Sequence, residues 1–158
     1  MSTAIQSYKL SQEPETIDLP ATHYVYVEKT GPFQQNAPQA WQEAHKLIPA
    51  VAEHNTITGY MSLYKVGPQI YRAGVALATP PVNLPAGLRY EKISGGKYGR
   101  FVLTGSYSNL PKACGRVRDI VVEKRIPLRD DWNIENYIND PRETPEDKLT
   151  TEILFPMA

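Results

Sequence analysis

The chain is poor in cysteine, carries no excess charge of either sign, and has no long apolar run. Its one cysteine, Cys114, excludes an internal disulfide framework. Seventeen basic residues cancel seventeen acidic ones. That balance argues against sequence-independent phosphate binding, which depends on clustered Lys and Arg, so direct nucleic-acid binding is not expected. It argues equally against polybasic attachment to anionic lipid. No stretch approaches a membrane span. The opening Met1-Ser-Thr-Ala-Ile-Gln-Ser-Tyr lacks the basic-then-apolar order of a signal peptide, which leads to the expectation of a soluble cytoplasmic protein. The three histidines, His23, His45 and His54, are scattered and do not meet Cys or carboxylates at metal-ligand spacing, so no metal or cofactor is expected. Nucleophile-elbow, phosphate-loop and dinucleotide fingerprints do not occur.

Against these shortages stand ten tyrosines, to only three phenylalanines, and fourteen prolines. Aromatic rings with a polar tip suit wet surfaces and binding sites. The prolines gather in connections such as Thr79-Pro80-Pro81 and Asp140-Pro141, between periodic segments, and read as rigid punctuation.

The chain also contains itself twice. Tyr24-x-x-Val, Thr30-Gly31-Pro32-Phe33 and Asn36-Ala37-Pro38 are answered by Tyr98-x-x-Phe, Thr104-Gly105-Ser106-Tyr107 and Asn109-Leu110-Pro111. Asn36 reads as an N-cap with Pro38 in the first turn. Ala37, Ala40, Trp41, Ala44, Leu47, Ile48 and Val51 then form one helix face, with Pro49 near its end expected to shorten or bend it. Leu110, Ala113, Cys114, Val117, Ile120 and Val121 repeat the stripe. Each helix is followed by two strand-like runs: 57–66 and 70–78, then 133–138 and 149–156. Residues 88–93 read as a further strand, and Gly95-Gly96 as the turn into the second copy. The pattern predicts one α+β domain over 1–158. It is a duplicated strand–helix–strand–strand unit (about 16–79 and 88–158) forming an antiparallel sheet of about eight strands. Both helices lie on one face and a ligand cleft on the other.

Alternation assigns the faces. With Val25 and Val27 under the first helix, Tyr24, Tyr26 and Glu28 face away. With Met61, Leu63, Ile134, Thr151, Ile153 and Phe155 as core, Tyr60, Tyr64, Glu135, Tyr137 and Glu152 also face away. The helix-free face is thus expected to hold a tyrosine-rich cleft with the carboxylates of Glu135 and Glu152, and Trp132 either to close its mouth or to plug the end of the domain. Trp41 reads as core, His45 as solvated, and Cys114 as an inert buried thiol.

Two segments go further. Gly96-Lys-Tyr98-x-x-Phe101-x-x-Thr-Gly105-Ser-Tyr107 and Tyr137-Ile-Asn-Asp140-Pro141-Arg142-x-Thr144-Pro145-Glu146-x-x-Leu149-x-Thr151-Glu152-Ile153-x-x-Pro156 resemble the GyrI-like small-molecule-binding domain. This is also the effector-binding domain of AraC-type and MerR-type multidrug regulators. The resemblance implies a cleft between the copies that takes lipophilic, often cationic molecules among aromatics. It also implies a buried glutamate near the last strand, matched here by Glu152. No helix-turn-helix fits ahead of residue 16. The resulting expectation is a ligand binder or sequestering protein using Tyr26, Tyr60, Tyr64, Trp132, Glu135, Tyr137 and Glu152. A hydrolase of strained cyclopropane-bearing compounds, with Glu152 activating water, is the alternative. A third is a protein-interaction role such as gyrase inhibition or pairing with a regulator. The oligomeric state stays open.

Overall fold

The computed structural model describes residues 8–158, and the expectation that no leader precedes the domain falls mainly on residues outside that range. Nine strands and two α-helices are present among the described residues: β1 (Lys9–Leu10), β2 (Glu15–Leu19), β3 (Thr22–Thr30), α1 (Phe33–His54), β4 (Ile57–Lys65), β5 (Ile70–Leu77), β6 (Arg89–Ile93), β7 (Gly96–Thr104), α2 (Leu110–Glu123), β8 (Asn133–Tyr137) and β9 (Thr150–Pro156). All strands join one antiparallel sheet in the order β1-β7-β9-β8-β4-β5-β3-β6, with β2 also on β7. The α+β class and the duplication hold, with one strand more than expected.

Within each copy the second strand, β4 or β8, reaches the middle of the sheet, and these two pair at the seam. The flanking strands are exchanged. β2 precedes the first copy but pairs with β7 of the second, while β6 precedes the second copy but pairs with β3 of the first. Only Pro20-Ala21 links β2 to β3, and only Ser94-Gly95 links β6 to β7. Three residue steps span at most about 11 Å, so the two margins of the sheet come together at this end and the sheet curls over its helix-free face. The links touch: Gly95 adopts φ 74°, and a Cβ there would lie 2.2 Å from the Leu19 carbonyl oxygen.

This curl explains the main departure from the sequence reading. The helix-free face is filled by its own second core of Tyr24, Tyr26, Met61, Leu63, Ile93, Tyr98, Trp132, Ile134 and Leu154. Tyr24 and Tyr98 are 0 % exposed, and their hydroxyls donate to the Met61 and Trp132 carbonyls at 2.8 and 2.9 Å. The expected cleft does not lie on that face.

On the other face α1 sets Ala40, Ala44, Ile48 and Val51 on Val25, Val27, Ala73, Val75 and Leu77. Small residues at 40 and 44 let the helix approach closely, and burying each larger side chain contributes about 1.5–3 kcal/mol. The helix starts at Phe33 behind Pro32, three residues before the expected cap, and contains both Pro38 and Pro49 without ending at either. α2 sets Ala113, Cys114, Val117, Ile120 and Val121 on Phe101, Leu103, Ile153 and Phe155. No helix among the described residues is long and apolar enough to cross a membrane.

Candidate functional site

Cross-strand register places Phe101, Ile153, Glu135, Ser62, Ala73 and Val27 in one row on the helix-bearing face. α2 covers one end of that row and α1 the other. Glu135 and Ser62, on the seam strands, are left between the helices as the floor of an open trench. The cavity there has a volume of about 1580 Å³. Its walls are a stripe of α1 (Gln34, Pro38, Trp41, His45, Pro49) facing a stripe of α2 (Leu110, Pro111, Cys114, Arg118). Tyr60, Tyr64, Tyr71, Glu135 and Tyr137 line the floor, and the 138–142 segment closes one end. Both prolines of α1 lie on the cavity side. Each lacks the N–H that would bond a carbonyl four residues back, and each fixes the backbone there without disturbing the sheet-facing stripe.

The floor is aromatic and tightly bonded. The Tyr137 ring makes edge contacts with Trp41 at 5.6 Å and Tyr107 at 5.3 Å, and Phe33 meets Tyr64 edge-on at 5.7 Å. Glu135 accepts from Tyr137 Oη at 2.8 Å and from Cys114 Sγ at 3.5 Å. Among the described residues, no Lys or Arg forms an ion pair with Glu135. Enclosure by protein raises its pKa above the usual carboxylate value, and the two donors pull it back only in part. Burial, followed by the nearby Glu135 charge, pushes Cys114 and Tyr71 up to about 12, so both stay neutral. The remaining charges of the lining are Arg118 on α2 and an Asp140–Arg142 pair closed on itself at 2.8 Å. No group of three or more metal-ligating side chains is assembled among the described residues.

The expected site residues therefore divide. Tyr60, Tyr64, Glu135 and Tyr137 come together in the cavity, on the opposite face from the one foreseen. Tyr26, Trp132 and Glu152 do not join them. Tyr26 and Trp132 sandwich the Arg72 guanidinium, 4.1 Å from each ring, and Arg72 pairs with Glu28 at 2.9 Å. Glu152 binds Arg100 at 2.9 Å and accepts from Asn136 Nδ2 at 2.8 Å. The Arg100–Glu152 pair joins β7 to β9. Trp41, His45, Tyr71, Cys114 and Arg118 were missed as cavity residues. Each helix has a second stripe beside its core stripe, and the spacing of Pro38, Trp41, His45 and Pro49 was the available signal.

Residues 12–158 match the model of the GyrI-like small molecule binding domain. No curated protein matches the chain significantly. Among solved structures, the C-terminal domain of EcmrR is similar with a TM-score of 0.74 at 16% identity, covering 96% of this chain and 98% of that one. SAV2435 bound to tetraphenylphosphonium gives 0.71 at 16% identity, covering 93% and 94%. A hydrolase from Listeria innocua gives 0.61 at 11%, covering 94% and 93%. At these identities the structures establish the shared fold.

Proposed function

The chain belongs to the GyrI-like small-molecule-binding family, and from that premise we propose that the trench between α1 and α2 takes up lipophilic cations, with Glu135 as the anionic centre. The observation that carries this reading is a single enclosed carboxylate, without an ion-pair partner among the described residues, on the floor of an otherwise aromatic cavity. A carboxylate so placed attracts positive charge more strongly than one in water. Tyr60, Tyr64, Tyr71, Tyr137 and Trp41 supply faces and edges for stacking and cation–π contact. The cavity exceeds the usual 300–1,000 Å³ of drug-sized sites, roughly, so bulky ligands fit. Binding or sequestration needs nothing further from the chain.

Tetraphenylphosphonium, the ligand in the SAV2435 structure, and the neutral triphenylphosphine oxide form a suitable probe pair. Trp41 edges the cavity, so its fluorescence reports occupancy. The expected result is saturable quenching by the cation, with at least about tenfold weaker binding of the neutral analogue, equivalent to about 1.4 kcal/mol. Equal binding of both would remove the charge from the reading. Absence of binding by either would remove the reading itself.

A second reading uses the same carboxylate. Glu135, raised in pKa and bonded to Tyr137, has the character of a general base for water attack on an electrophile held in the trench. Product formation over many turnovers separates this from binding.

A further inference from the structure

Glu135 ends a chain of hydrogen bonds more elaborate than cation binding alone requires. Trp41 Nε1 lies 3.0 Å from both Ser62 Oγ and Tyr71 Oη. Ser62 Oγ lies 2.6 Å from Tyr71 Oη and 2.7 Å from Tyr137 Oη. Tyr137 Oη lies 2.8 Å from Glu135 Oε1. Ser62, at the centre of the chain, is 0 % exposed.

Counting protons gives the chain a direction. Each hydroxyl has one proton, and the indole N–H can only donate. An ionised Glu135 accepts only, so Tyr137 spends its proton there. The Ser62–Tyr137 contact must then use the proton of Ser62, and the Ser62–Tyr71 contact that of Tyr71. Trp41 supplies the far end. Every arrow points toward Glu135: Trp41 to Tyr71 to Ser62 to Tyr137 to carboxylate. A carboxyl donating through Oε1 would reverse the arrows and leave the Tyr71 proton without an acceptor in the chain, because the Trp41 N–H can only donate. Because the chain starts at an indole, it cannot relay protons in and out. It acts as a fixed dipole array aimed at one oxygen.

We infer that Ser62 and Trp41 are positioning residues that hold Glu135 as a terminal acceptor, so that the site selects ligands bringing positive charge or a hydrogen-bond donor and releases them on acidification. This rests on the reading that Glu135 meets the ligand. The groups facing Glu135 are Tyr137 on its own strand, Tyr64 and Tyr71 on β4 and β5, and Cys114 and Arg118 on α2. His45 of α1 and the Asp140–Arg142 pair share the cavity. The four tyrosine and cysteine groups are held neutral by burial. His45→Gln removes the one imidazole of the cavity lining as a variable.

Tetraphenylphosphonium has no titrating group, so any pH dependence of its affinity belongs to the protein. Calorimetric titration of the full chain in the His45→Gln background, from about pH 5 to about pH 8, reads the midpoint of the affinity loss. In that background, Ser62→Ala and Trp41→Phe are each expected to move the midpoint upward by about one unit, and the double variant no further than either single change. Ser62→Thr, which restores a hydroxyl, returns the midpoint. A merely structural role would weaken binding equally at every pH and leave the midpoint in place, and that result overturns the inference. No binding at any pH, or a profile identical in Glu135→Gln, overturns the binding reading and the inference with it.

Discussion

Glu135→Gln lowers the affinity for tetraphenylphosphonium by about 30- to 150-fold at neutral pH, corresponding to about 2–3 kcal/mol. A unit cation about 6 Å from a carboxylate gains about 2.8 kcal/mol at an effective dielectric near 20. Glutamine keeps the shape and can still accept from Tyr137, so the loss isolates the charge. The substitution also changes how stability depends on pH. In the folded protein the Glu135 pKa lies above the value of 4.5 for the free group. Between the two values the folded state binds the extra proton, so stability of the free protein falls as pH rises through that window. Glu135→Gln flattens that slope, and a cation restores stability above it. The companion substitution Glu152→Gln changes affinity by less than about twofold and costs roughly 1 kcal/mol or less, because it only weakens a partly exposed pair with Arg100. If Glu152→Gln abolished binding and Glu135→Gln did not, the trench would not be the site.

Gly95→Ala lowers the melting temperature by about 10 °C. An L-residue at φ 74° is strained by about 1–2 kcal/mol. The new methyl would also sit 2.2 Å from the Leu19 carbonyl oxygen and 2.8 Å from Pro20 backbone atoms, where no flexible side chain can yield. Such overpacking adds about 1–3 kcal/mol. For a domain of this size each kcal/mol shifts the midpoint by about 2–4 °C. Gly115→Ala serves as the opposing control. It lies within α2, its Cβ would meet only the Arg118 Nη2 atom at 3.9 Å, and alanine favours helix by about 0.5–1 kcal/mol. Its melting temperature rises by a few degrees, roughly. Differential scanning calorimetry of both variants checks the pair, and an unchanged Gly95→Ala midpoint would mean that the links do not press on each other.

The duplication, both helices and most strand limits were legible because each rests on local pattern: the paired Thr-Gly turns, the proline-opened helices, and the stripes ending at Val51 and Val121. The faces were harder. Val25 and Val27 beside Tyr24 and Tyr26 left one sensible choice for β3. On β4, alternation with Met61 and Leu63 as core sends Tyr60 and Tyr64 away from the helices. Met61 and Leu63 are indeed core, but of the second layer, which exists only because the sheet curls. Alternation on β8 and β9, read strand by strand, likewise puts Glu135 and Glu152 on one face. Glu135 lies opposite Ile153 in the ladder, so Glu152 points the other way. A one-residue slip in that pairing would set Glu135 opposite Glu152 and bring both carboxylates to one face, and register is a long-range property that alternation within a strand does not contain.

The exchange of β2 and β6 has a consequence for covalent continuity. Each half of the chain carries the strand that completes the other half's margin, and the two halves also meet along β4 and β8. A nick in the exposed, proline-rich connector after Thr79 breaks no ladder. Fragments 1–79 and 80–158, produced separately and mixed, are expected to reassemble into one particle with the far-ultraviolet spectrum of the intact chain, as sedimentation would show. Alone, either fragment has an unsatisfied strand and a bare seam that match a second copy of itself. The 78–88 connector thus holds within one chain two halves whose open edges would otherwise each be available to a second copy.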